Sequence, residues 1–214
     1  MLYNRRRDIM IKLFTHTDLD GVANAVLAYI CFGKGNVDVE YCNYNDVNEK
    51  VETFLQENKL EDYKSIYITD ISVNDKVAQN INDAISINKD TTLKLFDHHP
   101  TAMNLNKYYW ATVKPMLNEI QKNCGAKLFY DFLVKSDYVN KYSSLKDFIE
   151  IVRKYDTWEW KETNFTLSKQ LNDLLYILGT NDFVDEMYNS LMVNSEGGFC
   201  LSDFDLKLLN INKK

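Results

Sequence analysis

The first half of the chain alternates short strand-like runs with helical patterns, and this alternation restricts the possible folds most strongly. Each run is rich in β-branched or aromatic residues, and apolar residues at helical spacing follow it. The runs are Ile9–His16, Val37–Asn43, Ser65–Asp70 and Thr91–Asp97. Alternation at this spacing predicts an α/β fold, with a mostly parallel twisted sheet flanked by helices.

After Pro115 the pattern becomes mainly helical, beginning with residues 116–134. We therefore predict one domain over residues 10–193, in which a helical section follows the sheet. Residues 1–9 are predicted to be a leader, and residues 194–214 a C-terminal tail.

The composition is typical of a soluble globular protein, with 45% hydrophobic and 26% charged residues in a chain of 214. No apolar run approaches the roughly 18 to 20 residues that a membrane span needs. The cysteines are scattered without a C-x-x-C pair, which predicts reduced thiols and a cytoplasmic location. They are Cys31, Cys42, Cys124 and Cys200.

The net charge of −6 disfavours strong binding to duplex nucleic acid, which requires a basic face. If four of the acids held two divalent cations, the remaining charge would be only −2. An anionic substrate is therefore compatible with the composition.

Three of the strand-like runs end in groups that can bind a metal ion. These groups are His16, Asp18 and Asp20 after the first run, Asp70 after the third, and Asp97, His98 and His99 after the fourth. They contain all three histidines of the chain. Because the carboxyl ends of parallel strands lie along one edge of a sheet, we expect these groups to converge.

Each group also has a purely structural interpretation. Asp18 and Asp20 could cap the helix that begins near Gly21, and Asp70 could be a turn residue. His98 and His99 could be a hydrogen-bonded structural pair. A cap needs one acid rather than two with a histidine, so we favour the metal-binding interpretation.

Carboxylate oxygens with imidazole nitrogens suit Mn²⁺, Mg²⁺, Fe²⁺ or Co²⁺. Two such ions about 3.5–4 Å apart can clamp both oxygens of an in-line phosphoryl displacement. A further acid from outside the sheet would complete the ligand set, and Asp156 is the candidate. Glu150 and Glu159 are the nearby alternatives.

At these positions the sequence resembles the DHH phosphoesterase superfamily, over roughly residues 10 to 190. The shared features are H-x-D-x-D-G at 16–21, Asp70 at a strand end, the triplet Asp97–His99, and the later Asp156. This superfamily includes single-strand exonucleases, oligoribonucleases, family II inorganic pyrophosphatases and cyclic-dinucleotide phosphodiesterases. The short spacing in the first motif indicates the nucleotide-hydrolysing branch.

The resemblance implies a dinuclear site that favours Mn²⁺, with Mg²⁺ or Co²⁺ as substitutes. The implied ligands are His16, Asp18 and Asp70 for one ion and Asp20, Asp70, His98 and Asp156 for the other, so that Asp70 bridges. His99 would contact the scissile phosphate, and Asp97 would orient His98.

The resemblance thus implies a phosphoesterase that hydrolyses a phosphodiester or phosphomonoester of a short single-stranded oligonucleotide or small nucleotide. Family members usually carry a second domain with a glycine-rich motif, which we expect to be absent from this chain. A homo-oligomer is compatible with the sequence.

Two other functions stay open from the sequence. The chain could be a catalytically weak module that binds a nucleotide or a partner. It could also be a receiver-like signalling domain, which would not use the histidines and would need a lysine such as Lys114 after a fifth strand. Trp158 and Trp160 could stack on a base, but we interpret them as core residues.

Overall fold

In the computed structural model, which describes residues 10–57, 59–139, 143–193 and 197–212, five parallel strands form one sheet. The strands are β1 (Ile11–His16), β2 (Val37–Cys42), β3 (Ser65–Thr69), β4 (Thr92–Asp97) and β5 (Ala111–Val113). Their order is β2-β1-β3-β4-β5, and every neighbouring pair is parallel. The predicted α/β fold is confirmed. The predicted leader, residues 1–9, lies outside the described residues.

The helices connect the strands and then form the second half of the domain. They are α1 (Leu19–Phe32), α2 (Val47–Gln56), α3 (Asp75–Ile87), α4 (Gly125–Lys135), α5 (Ser143–Asp156), α6 (Glu159–Glu162), α7 (Thr166–Leu178), α8 (Thr180–Val193) and α9 (Asp203–Ile211). Within the described ranges, no helix combines the length and hydrophobicity needed to cross a membrane.

Alternate side chains of β1 enter two separate hydrophobic cores, one on each face of the sheet. Leu13 belongs to the larger core, with residues of α1, α4, α5, α7 and α8. Phe14 belongs to the other core, where it meets residues of α2 and α3 such as Val51 and Ile81. Burial on both faces is what a parallel sheet requires. Leu209, in the predicted C-terminal tail, is also buried in the larger core.

The strand order creates a crevice at the carboxyl edge of the sheet. Because β1 lies between β2 and β3, the chain leaves β1 to one side and later crosses to the other. In doubly wound sheets the loops diverge at such a switch point and leave room for a ligand. His16 is the last residue of β1, and Asp70 directly follows β3. Both therefore lie at this crevice.

The prediction of helix throughout residues 116–134 is wrong for the first half of that segment. Helix α4 begins at Gly125, and before it Met116 and Lys122 form an isolated antiparallel bridge. Asn118 closes the intervening turn, since its Oδ1 accepts two backbone N–H groups. Asparagine side chains compete with helical hydrogen bonding in this way.

Candidate metal centre

The first predicted ligands lie in the turn that joins β1 to α1. Asp18 is the N-cap of α1, and its Oδ1 accepts a hydrogen bond from the Gly21 N–H at 3.0 Å. Its Oδ2 lies 2.9 Å from Nδ1 of His16. A Cβ at Gly21 would lie 2.2 Å from the His16 carbonyl oxygen, so this turn requires glycine. Asp18 therefore caps the helix with one oxygen and faces the crevice with the other.

Asp20 is buried in the first turn of α1, where the N-terminus of α4 holds it. Its two oxygens accept hydrogen bonds from the backbone N–H groups of Gly125 at 2.6 Å and Ala126 at 2.8 Å. The positive end of the helix dipole favours a carboxylate at this position. Each oxygen keeps a further lone pair that a cation could use.

Gly125 is a site residue that sequence reasoning missed. An added Cβ would lie 2.6 Å from Cβ and 2.8 Å from Cα of Asp70, so only glycine lets α4 approach this closely. The available signal was a glycine at the start of a helical pattern, which is not specific.

Asp70 lies at the centre of the site and is 1% exposed. Its backbone is left-handed, with φ of 59°, a conformation that aspartate tolerates better than most residues. Its Oδ1 lies 3.3 Å from Nε2 of His98, and its Oδ2 lies 3.8 Å from Nδ1 of His16. Asp70 therefore lies between the two histidines.

His98 and Asp156 complete the cluster from the other side. Nε2 of His98 lies 3.8 Å from Oδ2 of Asp20 and 3.6 Å from Oδ2 of Asp156. Asp156 is the last residue of α5, so the helical section of the domain supplies one acid to the edge of the sheet. The alternatives Glu150 and Glu159 instead pair with the buried Arg153.

The structure brings all six predicted ligands into two adjoining groups, His16, Asp18 and Asp70, and Asp20, His98 and Asp156. Within each group the potential ligand atoms lie within 4.8 Å of one another. Asp70 also forms a third group with Asp97, His98 and His99. Their role as metal ligands stays a prediction.

Three buried polar atoms of this cluster make no hydrogen bond of good geometry among the described residues: Asp70 Oδ2, His98 Nε2, and His16 Nδ1, which only lies close to Asp18 Oδ2. Buried polar groups are almost always paired, because an unpaired group costs about 1–3 kcal/mol. Neither group of predicted ligands contains a cysteine. Unpaired nitrogen and oxygen atoms in one crevice fit divalent cations such as Mn²⁺ or Mg²⁺.

The crowding of carboxylates alters their proton affinity. Burial, with the nearby charges of Asp20 and Asp18, raises the pKa of Asp70 well above its usual range. The same causes raise the pKa of Asp156 to about 8. Burial alone would raise the pKa of Asp18, but the imidazole of His16 close beside it outweighs this and lowers it. With its pKa of about 8, Asp156 of a metal-free site holds a proton at neutral pH that a cation would displace.

The triplet Asp97–His99, which begins at the last residue of β4, fixes the ring of His99. Oδ1 of Asp97 lies 2.7 Å from Nδ1 of His99 and accepts the backbone N–H of His98 at 2.7 Å. The Ser72 hydroxyl donates to the other oxygen of Asp97. We expected Asp97 to orient the ring of His98. Instead Asp97 orients His99 and is hydrogen-bonded to His98 through the backbone N–H.

This pairing alters the pKa of both partners. The hydrogen bond to Asp97 raises the pKa of His99. Burial alone would raise the pKa of Asp97, but its bond to His99 outweighs burial and lowers it. A protonated His99 beside a carboxylate could bind an anionic group.

Tyr44 is a second residue that the sequence did not reveal. Its hydroxyl lies 3.1 Å from Nε2 of His99, and its ring centroid lies 5.0 Å from that of His16. Burial and the charge of Asp70 raise its pKa to about 12, so it stays a neutral phenol. Tyr44 follows β2 in a polar stretch that matches no motif.

The segment after Asp156 corrects one prediction. Trp158, interpreted as a core residue, is 60% exposed. Its φ of 66° places it in the left-handed region between α5 and α6. Trp160 is half-buried and stacks on Tyr155, with ring centroids 6.0 Å apart. A turn interrupts the helical spacing between the two tryptophans, so they do not share an apolar face.

Several doubly wound folds have this strand order, so the strand order does not identify the class of protein. The residues at the strand ends distinguish one class from another. A receiver-like domain would not use histidines, yet His16 and His98 lie inside the acidic cluster. Lys114, the lysine which that alternative needs, is exposed after β5. A parallel sheet with these motifs at its switch point is the arrangement that the resemblance to the DHH phosphoesterase superfamily predicts.

Comparison with known proteins agrees with this assignment. The chain is 33% identical to the oligoribonuclease NrnB of Bacillus subtilis (strain 168) over 203 residues, which are 94% of this chain and 50% of that protein. The chain therefore spans about half the length of this curated relative. No protein-family model matches.

Solved structures resemble the fold. An uncharacterized protein from Helicobacter pylori G27 superposes with a TM-score of 0.71 at 20% identity, covering 94% of this chain and 60% of that one. RecJ from Thermus thermophilus, in complex with Mn²⁺, gives a TM-score of 0.49 at 14% identity, covering 96% of this chain and 32% of RecJ.

Proposed function

We propose that the chain hydrolyses a phosphodiester or phosphomonoester of a short single-stranded oligonucleotide or small nucleotide, with two divalent cations. The observation that carries this proposal is the convergence of unpaired, buried polar atoms of His16, Asp70 and His98 in one crevice. The relationship to an oligoribonuclease supports a short oligonucleotide as the substrate.

The proposed ligands of one cation are His16, Asp18 and Asp70, and those of the other are Asp20, Asp70, His98 and Asp156. Divalent cations held by these residues would supply an activated water and positive charge opposite the phosphate. Mn²⁺ is the proposed metal, because a mixed set of imidazoles and carboxylates suits it better than Mg²⁺.

His99 is the proposed contact for the scissile phosphate. Asp97 holds Nδ1 of His99, which leaves Nε2 to donate to a phosphate oxygen. In the structure Nε2 lies 3.1 Å from the Tyr44 hydroxyl, so this hydroxyl must either move away or also contact the phosphate when a phosphate binds.

The cytoplasmic location stays a prediction, supported by the four free cysteines.

The variant Asp70→Asn tests the proposal. Asparagine tolerates the left-handed backbone at this position but lacks the charge of the ligand proposed for both cations. We expect Mn²⁺-dependent cleavage of RNA two to five nucleotides long to fall at least about 100-fold, with fewer Mn²⁺ ions per chain by elemental analysis.

Asp137→Asn is the matched control, because Asp137 is also left-handed, with φ of 57°, but is exposed. Its activity should equal that of the wild type. Unchanged turnover in Asp70→Asn would refute the site. Binding of Mn²⁺ and nucleotide by the wild type without any turnover would instead favour a nucleotide-binding module.

A further inference from the structure

A cavity of about 340 Å³ opens beside His99, and its wall includes Tyr44, Asp97 and His99. The rings of His98 and His99 have centroids 4.3 Å apart, so the cavity begins next to the metal centre. Its volume is at the lower end of the range for small-molecule sites, about 300–1,000 Å³. It can therefore hold one small organic group attached to a phosphate at His99.

Three asparagines line this cavity, and each is anchored at one end of its amide. Oδ1 of Asn48 accepts the backbone N–H of Asn74 at 2.8 Å, and Oδ1 of Asn74 accepts that of Val77 at 2.9 Å. Nδ2 of Asn104 donates to Asp75 at 2.9 Å. These hydrogen bonds determine which end of each amide remains available to a ligand.

The remaining amide groups make no hydrogen bond to any residue in the described ranges. They are the NH₂ groups of Asn48 and Asn74, which donate, and the carbonyl of Asn104, which accepts. Fixed amide donors and acceptors are the groups that proteins use to read the edges of nucleobases.

The cavity also offers apolar surface of the kind that a base or sugar face contacts. Val73 and Ala102 contribute buried aliphatic groups, and the exposed Tyr44 contributes an aromatic ring. Aromatic rings stack on bases without strong sequence preference.

The charges of the lining disfavour a second phosphate. None of the described residues that line the cavity is a lysine or arginine. The two carboxylates are already paired, Asp75 with Lys107 and Asp97 with His99. The cavity therefore suits an uncharged group next to the anion that His99 would bind.

The geometry points to a nucleoside pocket, in which Tyr44, Asn48, Asn74 and Asn104 hold the nucleoside that adjoins the scissile phosphate. This inference rests on the proposed function, because it assigns one end of the same substrate. It predicts that the site distinguishes nucleotides from other phosphate compounds.

Calorimetric titration with adenosine 5′-monophosphate, uridine 5′-monophosphate and inorganic phosphate, each with Mg²⁺ present, measures this selectivity. We expect at least one nucleotide to bind the wild type at least tenfold more tightly than phosphate. Equal affinities for all three would overturn the pocket.

Asn48→Asp tests the assigned contacts. The aspartate keeps an oxygen for the Asn74 N–H but replaces the free NH₂ donor with an acceptor. We expect the nucleotide preference to fall about tenfold. The control Asn189→Asp makes the same charge change on an exposed position of α8 and should keep the preference.

Thr101→Trp provides an independent test if Asn48→Asp fails to fold. Thr101 is exposed on the wall of the cavity, so a tryptophan there would fill the space without disturbing a core. It should abolish the nucleotide preference and leave phosphate binding unchanged. A preference that persists in every folded variant would overturn the pocket.

The same preparations separate the two proposals. Cleavage of short RNA combined with equal affinity for nucleotide and phosphate would refute the pocket alone. Selective nucleotide binding without any cleavage would refute the proposed hydrolysis and support the pocket.

Discussion

The carboxyl group of Asp156 keeps its proton at pH values where most carboxyl groups have lost theirs. Burial, together with the charges of Asp20 and Asp18, raises its pKa to about 8, and the pKa of Asp70 is raised for similar reasons. Burial among other carboxylates disfavours the ionised form of such a residue when no metal is bound. Residues with pKa values perturbed in this way are often retained for function.

We expect the free energy of unfolding of the metal-free protein to fall as pH rises from 5.5 to 8.5. In the unfolded chain Asp156 titrates near its ordinary value of 3.8, so within this window the folded state binds more protons. The stabilisation is complete at low pH and is lost as pH rises to about 8. His99, whose pKa is raised by its hydrogen bond to Asp97, acts in the same direction.

The loss should be at least about 1 kcal/mol, roughly the equivalent of one pKa unit. Urea unfolding in the presence of EDTA measures it. Asp18 and Asp97, whose pKa values are lowered, stay ionised in both states across this window. A free energy of unfolding that stays constant or rises with pH would contradict the prediction.

Residues at strand ends were predictable, because topology alone places them at one edge. His16, Asp70 and His98 each end or follow a predicted strand, and the structure places them within 4 Å of other members of the cluster. Tyr44 was not predictable, since its contact with His99 depends on how the loop after β2 folds over the site.

At the scale of elements, the N-terminus of α4 positions residues of the site, as the strand ends do. Its first two N–H groups hold Asp20, and its first residue, Gly125, packs on Asp70. The sequence pattern predicted this helix but placed its start too early, because Asn118 turns the preceding segment back on itself. The position of the helix N-terminus was therefore not predictable from periodicity.

Replacement of Gly125 by alanine should separate α4 from Asp70. The new Cβ would lie 2.6 Å from the Asp70 Cβ, so either the helix or the aspartate must shift. We expect a destabilisation of about 1–3 kcal/mol by thermal unfolding and a loss of Mn²⁺-dependent cleavage. Gly35→Ala is the control, since nothing lies within 4 Å of its Cβ position. Equal stability of the two variants would be evidence against the close approach.

Arg153 joins the end of α5 to the segments around it. Its buried guanidinium donates to Glu150, to Glu159 and to the carbonyl of Lys122, at distances from 2.6 to 3.0 Å. Since Asp156 follows three residues later, this network also fixes the acid that α5 contributes to the site.

The variant Arg153→Met should lose about 2–3 kcal/mol of stability, because two carboxylates and a carbonyl lose their partner. Its affinity for Mn²⁺ should fall as well, measured by calorimetry. Lys154→Met removes the neighbouring, half-buried cation and serves as the control. Should both variants bind Mn²⁺ as the wild type does, Arg153 would have no positioning role.

At the scale of the whole molecule, the sheet and the helical section meet at the candidate metal centre. The alternation of strands and helices predicted the sheet and its two covered faces, because the hydrophobic pattern repeats locally. The docking of the helical section was not predictable in detail, since it depends on side-chain packing in the larger core.

Mn²⁺ should stabilise the whole fold, and more strongly at pH 8 than at pH 6. A cation at 100 times its dissociation constant adds about 2.7 kcal/mol. Protons compete with it more effectively at low pH, because the pKa values of Asp70 and Asp156 are raised. Thermal unfolding with and without Mn²⁺ at the two pH values measures this difference. An equal shift in Tm at both would contradict it.

Asp156 comes from the end of α5, whereas the other five proposed ligands precede β5. A break in the backbone between residues 113 and 125 would leave a cation with partners on two separate pieces of polypeptide. The affinity for the cation would then measure whether the later helices remain packed on the sheet. A bound ion would hold the two pieces of polypeptide together.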